Sequence, residues 1–428
     1  MFSGKVGIST LKNGATVITV PVPSAESVSF GIFVGVGSRL EKPAEAGASH
    51  FIEHMLFKGT DTRSAADISK EIEGAGGAMN AYTGEDGTCY YVRVPHECIG
   101  NAVDVFMDMF FRSSFRKADV DRERSVILEE MKMYEDQPDS LALMQAQEAM
   151  FPGHALGAPI VGNVKSLLGM TGEKLLAFKS RMYVPAKTAF VFAGRIAHDE
   201  ACRLIEKEQK SFKGRRIRET ARFDPSVPPR RLTVIRRDVQ QIQAILGFRG
   251  FGLHDERYHA QRVMDAMLGG GMSSRLFQSV REKHGLCYSI GTAAQLFDEI
   301  GWYAVCGGFE PKKSRAALRL IVRELVRIRE RAPGAAELKR TVRFINGTFR
   351  MGMESVSAQM SYYGRSFLRY GRCDAPEELV ARAAAVKAED VRRTAEAIFR
   401  SDGASLTLVV PENDATTDKE WLDTLKGL

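Results

Sequence analysis

One order of elements is written twice in this 428-residue chain: two β-rich segments, two helical patterns, then two more β-rich segments. In the first copy the strands fall at 16–20 and 28–35, bounded by Asn13-Gly14 and Gly37, the composition of strands closed by turns. Helical patterns follow at 45–57 and 65–72, and then strands at 76–82 and 88–94 around a turn at 84–87. The second copy has strands at 232–235 and 242–248, helices at 257–268 and 274–283, and strands at 288–295 and 302–308. A spacing of about 210 residues between the copies indicates an internal duplication. Further helices are expected at 97–111, 117–134, 140–150 and 199–212, with a strand at 188–193. Four helical stretches and a strand near 405–410 close the chain. Strands grouped in hairpins and helices grouped in runs predict an α+β fold, with two related domains that each pack a mostly antiparallel sheet with helices.

The segment 213–231 has no apolar periodicity and carries Pro225, Pro228 and Pro229 among many charges, as interdomain linkers do. The expected division is therefore a first domain at 1–212, a linker at 213–231 and a second domain at 232–428. A chain this long exceeds what one hydrophobic core usually fills.

Composition narrows the function classes. With 44% hydrophobic and 26% charged residues, the chain reads as soluble and folded rather than disordered or fibrous. The formal charge of +7 is modest for this length, and the clustered Arg215, Arg216, Arg218, Arg230, Arg231, Arg236 and Arg237 have no aromatic-interleaved binding motif beside them, so no nucleic-acid partner is expected. Cys89, Cys98, Cys202, Cys287, Cys306 and Cys373 are far apart and include no CxxC. They read as reduced thiols of a cytoplasmic protein. Residues 1–10 lack the apolar stretch of a signal peptide, and no run of 18 apolar residues implies a membrane span.

The chemistry concentrates at His50-Phe51-Ile52-Glu53-His54. Residues four apart share one helix face, so both imidazoles can reach a single tetrahedral zinc ion, with Glu53 beside the same point. A catalytic zinc also needs a third protein ligand, an open position for water and a base for the water proton. Glu53 is the candidate base. Chance would place an HxxEH in on the order of one in a hundred chains of this length. The rest of the helix is apolar and small (Ala48, Phe51, Ile52, Met55, Leu56, Phe57), and two histidines and a glutamate intruding on such a helix need a partner.

This spacing is the pattern of the inverted zincins. The segments 50–60, 74–91 and 123–130 together resemble the insulinase and pitrilysin family, and within it the processing-peptidase branch with its short bacterial members. The resemblance extends over most of the chain and thins beyond about residue 310. It implies a third zinc ligand about 76 residues after the second histidine, which is Glu130, and a supporting glutamate seven residues earlier, Glu123, that orients a ligand histidine. It implies that Gly77, Ala78, Met79, Asn80 and Ala81 form an edge strand on which an extended peptide is held by main-chain hydrogen bonds. It also matches Arg281 and Tyr288 to a pair that hydrogen-bonds the substrate near the scissile carbonyl. Read without the family, Glu129 and Glu130 are an ordinary solvated helix face, and Arg281 and Tyr288 a surface arginine and a packed tyrosine.

The function implied is zinc metalloendopeptidase, with one Zn2+ per chain because the second copy carries no histidine at the corresponding places of 261–268. Family members enclose peptides between two bowl-like halves. A chain of this length supplies one half, so a homodimer is implied, with no membrane or nucleic-acid partner. Processing peptidases read a substrate arginine through acidic residues ten and fourteen positions beyond the zinc glutamate; here those positions are Ser140 and Met144, with Asp139 adjacent, which argues against strict arginine recognition. The competing readings are a non-catalytic structural subunit of the same fold and a metal-binding module without hydrolysis.

Overall fold

The structure is a computed structural model and describes residues 5–207, 212–214 and 222–428. Its strands are β1 (Gly7–Thr10), β2 (Thr16–Pro21), β3 (Ser27–Val34), β4 (Ala78–Thr83), β5 (Thr88–Pro95), β6 (Thr188–Gly194), β7 (Leu232–Arg237), β8 (Ile242–Gly250), β9 (Cys287–Leu296), β10 (Gly301–Phe309) and β11 (Ala404–Pro411). The helices of the first half are α1 (Ala48–Leu56), α2 (Ala65–Glu73), α3 (Ile99–Arg112), α4 (Lys117–Asp136), α5 (Pro138–Met150), α6 (Val164–Leu168), α7 (Gly172–Met182) and α8 (His198–Glu206). Those of the second are α9 (Tyr258–Gly269), α10 (Pro311–Glu330), α11 (Ala335–Gly352), α12 (Val356–Tyr370), α13 (Pro376–Ala384), α14 (Ala388–Ile398) and α15 (Asp418–Leu422), with a π-helical segment at Phe277–Lys283. Among the described residues no helix is long and apolar enough to cross a membrane.

The chain divides into two compact units. Unit 1 holds 1–131, 158–221 and 350–376, and unit 2 holds 132–157, 222–349 and 377–428. In unit 1 the sheet order is β1-β2-β6-β3-β5-β4; β2 and β6 run parallel and the other neighbours antiparallel. In unit 2 the order is β7-β11-β8-β10-β9, and there the pair β7-β11, which corresponds to β2-β6, is the parallel one. Apart from the added β1, the two sheets have one topology. The duplication expected from the element order is present, and the fold is mixed α and β with two related domains.

The units are not the contiguous stretches expected from composition. On one face of the unit 1 sheet, Phe30, Ile32, Tyr90 and Val92 join α1 and α3 in a buried apolar core. The opposite face carries Gly31, Phe33 and Ser29, and it is covered by α12, from far along the sequence: Ser29 and Ser357 hydroxyls lie 2.7 Å apart, and a Cβ built on Gly364 would meet the Phe33 ring at 2.4 Å. Unit 2 repeats the device in reverse. Its second face, with Ile245, Trp302, Ala304 and Val409, is covered by Leu141, Ala142, Ala146 and Met150 of α5. A sheet with two apolar faces needs helices on both, and each unit takes the second cover from the other half of the sequence. The division at 1–212 and 232–428 is corrected accordingly. Of the expected linker, residues 215–221 lie outside the described residues, as do 208–211 of the helix expected at 199–212, whose described part ends at Glu206. Five helices rather than four precede β11.

Candidate metal centre

Helix α1 is held at its start by a backbone turn and a carboxylate. Gly47 has φ 91° and ψ 0°, left-handed backbone that favours glycine, and a Cβ there would lie 2.7 Å from the Val161 carbonyl oxygen. Glu41 accepts hydrogen bonds from the Gly47 and Ser49 amides, each at 2.6 Å, satisfying donors that a helix start otherwise leaves unpaired. Burial pushes the Glu41 carboxyl up to about 7, against the pull of those amides. Along the helix, Ala48, Phe51, Ile52, Met55 and Leu56 enter the core, so His50, Glu53 and His54 fall together on the remaining edge.

Helix α4 supplies the rest. Glu123 and Glu130 are seven residues, about two turns, apart and so share its face, whereas Glu129 points to solvent. Glu130 Oε2 lies 3.7 Å from His50 Nε2 and 3.5 Å from His54 Nε2, and the two imidazole centroids are 4.7 Å apart. Ligand atoms of His50, His54 and Glu130 all lie within 4.8 Å of one another. Donors at bonding distance from a tetrahedral zinc are about 3.4 Å apart, so this set fits such an ion with small adjustment.

The surroundings differ for each group. His54 Nδ1 is 3.2 Å from Glu123 Oε2, and Glu123 is only 3% exposed; the carboxylate fixes the tautomer that leaves Nε2 free for a metal. His50 Nδ1 is buried without a hydrogen-bond partner. Burial, reinforced by the neighbouring His54, lowers His50 to about 4 against the attraction of Glu130, so it stays neutral and fit to ligate. For His54 burial likewise pulls the pKa down but is outweighed by its hydrogen bonds to Glu130 and Glu123, and the pKa rises. Glu53 is raised by burial, an effect that the Thr83 hydrogen bond and His54 oppose; the Thr83 hydroxyl donates to its Oε2 at 2.5 Å.

Thr83 ends β4, the edge strand of its sheet. Ala78, Met79, Asn80 and Ala81 lie on that strand and Gly77 immediately before it. At Gly77 a Cβ would strike Val94 at 2.6 Å. The Asn80 side chain is exposed and accepts from the Ala81 amide at 2.8 Å. Arg281 and Tyr288 belong to unit 2, where the guanidinium lies 5.1 Å from the Tyr288 ring centre and 4.5 Å from that of Phe277. Tyr288 is 81% exposed, not the packed tyrosine that local sequence suggests. Ser140 and Met144 lie on α5. Sequence spacing does not single out Glu41, Thr83 or Lys58, whose ammonium is 2.8 Å from Glu123 Oε1. Glu41 and Lys58 lie close to the motif in sequence, Lys58 four residues beyond His54, but Thr83 is brought to it by the fold.

Histidines one turn apart with a glutamate before the second, joined by a carboxylate from another helix, define the inverted-zincin class of metallopeptidase sites. Within that class the chain belongs to the insulinase family, peptidase family M16: the family profile described as insulinase matches residues 16–164, and the one described as the M16 inactive domain matches 169–344. It is 36% identical to an uncharacterized zinc protease of Streptomyces coelicolor over 96% of this chain and 91% of the relative. It is 33% identical to the uncharacterized zinc protease YmxG of Bacillus subtilis over 95% and 98%. Among solved structures, a protease from Helicobacter pylori superposes with a TM-score of 0.90 at 20% identity, covering 96% of this chain and all of that one. A peptidase M16 inactive domain from Pseudomonas fluorescens gives 0.88 at 18% identity, covering 95% and 98%. At those identities the two structures speak for the fold alone.

Proposed function

We propose that this chain is a zinc metalloendopeptidase acting on extended peptides or unfolded segments. The observation that carries the reading is the convergence of His50, His54 and Glu130, with Glu53 on the same helix edge. Zinc held by these three ligands would supply a Lewis acid for the attacking water and the scissile carbonyl. Glu53 is the base. Burial brings its proton affinity nearer to neutral, which suits a carboxylate that takes the water proton and returns it to the leaving amine. Thr83 holds one Glu53 oxygen and leaves the other for the water. The outer edge of β4 offers main-chain groups to an extended peptide, and Arg281 and Tyr288 would donate to the carbonyl oxygen as its charge develops.

A homodimer is part of the proposal, with the second copy closing the chamber and its Arg281 and Tyr288 serving the first copy's zinc. Mixing Glu53→Gln with Tyr288→Phe chains tests it: subunit exchange should restore about a quarter of wild-type activity, and exchange without recovery refutes the shared site. Six free cysteines support a reducing, cytoplasmic location. The complete ligand set and base weigh against a non-catalytic subunit. Peptide cleavage that stops with a chelator and returns with zinc is the expected result; cleavage indifferent to both refutes the reading.

A further inference from the structure

Two residues beyond the end of α1, Lys58 places its ammonium 2.8 Å from Glu123 Oε1, while the other oxygen of that carboxylate meets His54 Nδ1 at 3.2 Å. Glu123 is therefore bridged, one oxygen to the lysine and one to the histidine, and it is almost wholly removed from solvent at 3% exposure. The lysine is about one-third exposed, and its amide donates to the Met55 carbonyl, so a backbone turn at the exit of α1 holds its main chain.

We propose that Lys58 is a positioning residue of the metal centre: it fixes the Glu123 carboxylate so that His54 presents Nε2 and α4 presents Glu130 at one point. The geometry supplies two physical grounds. A carboxylate held by a single donor can rotate about its last bond, whereas one held at both oxygens keeps the orientation that His54 requires. Furthermore, Glu123 and Glu130 ride on the same helix face about two turns apart, so an ion pair clamping Glu123 to the exit of α1 sets how far α4 can slide past it. That slide decides whether the Glu130 oxygen stays near 3.5 Å and 3.7 Å from the two imidazoles. A neutral side chain at 58 would also leave the Glu123 charge buried without its cation.

This rests on reading His50, His54 and Glu130 as zinc ligands, and the experiment separates the two claims. Zinc affinity is measured by chelator competition on the full-length chain, for wild type, Lys58→Met, Lys58→Arg, Glu123→Gln and the Lys58→Met/Glu123→Gln pair, below the melting temperature of each. Cobalt(II) absorption of the same proteins reports ligand geometry. Lys58→Met should bind zinc about 10-fold more weakly, in the range typical of groups that support a metal ligand, and shift the cobalt spectrum; Lys58→Arg should recover most of the affinity. The double variant should be no weaker than Glu123→Gln alone, because the lysine acts through that carboxylate. Unchanged zinc affinity in Lys58→Met, whatever happens to its melting temperature, overturns the proposal, and so does full additivity of the two substitutions. A wild-type chain that binds no zinc overturns the metal-centre reading itself.

Discussion

Tyr90 and Tyr303 occupy the same place in two sheets: Tyr90 lies between Ile32 and Ala81, Tyr303 between Phe248 and Ala294, both fully buried. Following the ladders outward from this pair, Thr83 opposite Thr88 corresponds to Leu296 opposite Gly301. The hydroxyl that holds Glu53 in unit 1 is thus an aliphatic side chain in unit 2. The helix starts differ in degree: Glu41, eight residues before Ser49, accepts from two amides at the start of α1, whereas at α9 Asp255 accepts from the Arg257 amide two residues on. Both halves share the scaffold, and among the described residues the His-His-Glu cluster lies in one, which accords with the family description of residues 169–344 as an inactive domain. Strand order depends on apolar faces that many residues satisfy, while the metal centre depends on a few groups and their supports.

The difference is broken most severely at Glu53. Glu53→Gln should lower kcat on the order of 10³-fold while a metal assay still finds one zinc per chain; retained turnover would remove the base assignment. Glu130→Gln should weaken zinc by more than about 100-fold, beyond what losing a supporting group causes. Full affinity in that variant would shift attention to Glu129.

The cap on α1 predicts a pH dependence of its own. With the Glu41 carboxyl at about 7 in the folded chain against an ordinary 4.5, the folded state holds the proton more tightly than the unfolded one. The sign follows: this stability is fully present below about pH 4.5 and is lost as pH rises through 7. Relative to Glu41→Gln, metal-free wild type should lose about 2–3 kcal/mol between pH 4.5 and 7.5, read by urea unfolding. His50, lowered to about 4 by burial, slopes the opposite way in both proteins, so only their difference isolates Glu41. Parallel curves would show an ordinary carboxyl.

The smallest effects compare the two covering helices. Gly364→Ala on α12 drives a methyl into the rigid Phe33 ring and should cost about 1–3 kcal/mol of stability. Gly247→Ala on β8 meets the Met150 sulfur at 3.2 Å, the end of an adaptable side chain, and should cost under about 1 kcal/mol. Equal melting shifts would mean that the two helices are packed alike.

What sequence reveals and what it hides follows the same division. Elements with local periodicity were readable: the hairpin β4–β5, the long helix α4 and the repeated order of strands. The short β1 and α6 carry too few residues for a period, whereas α7 has one, with Leu175, Phe178 and Met182 buried, that is missing from the expected helices. That α5 covers Ile245 and α12 covers Phe33 was hidden because an amphipathic pattern shows that a face is buried, not against what. His50, Glu53 and His54 are visible because one helix sets their spacing; Glu130 and Glu123 come from a different helix and emerge only through the family's spacing. Lys58, Thr83 and Glu41 gain their roles from tertiary placement alone.

The exchanged helices have a consequence for synthesis. The unit 1 sheet gains its last strand, β6, at Gly194, but the helix that covers its second face ends only at Tyr370. At about 5–20 residues per second, a nascent chain emerging from the ribosome carries that apolar face uncovered for on the order of ten seconds or more. The first half therefore cannot mature before the second is made. Separating the halves at the proline-rich stretch would leave each fragment with a bare sheet face, a surface for chaperones to hold or for aggregates to grow on.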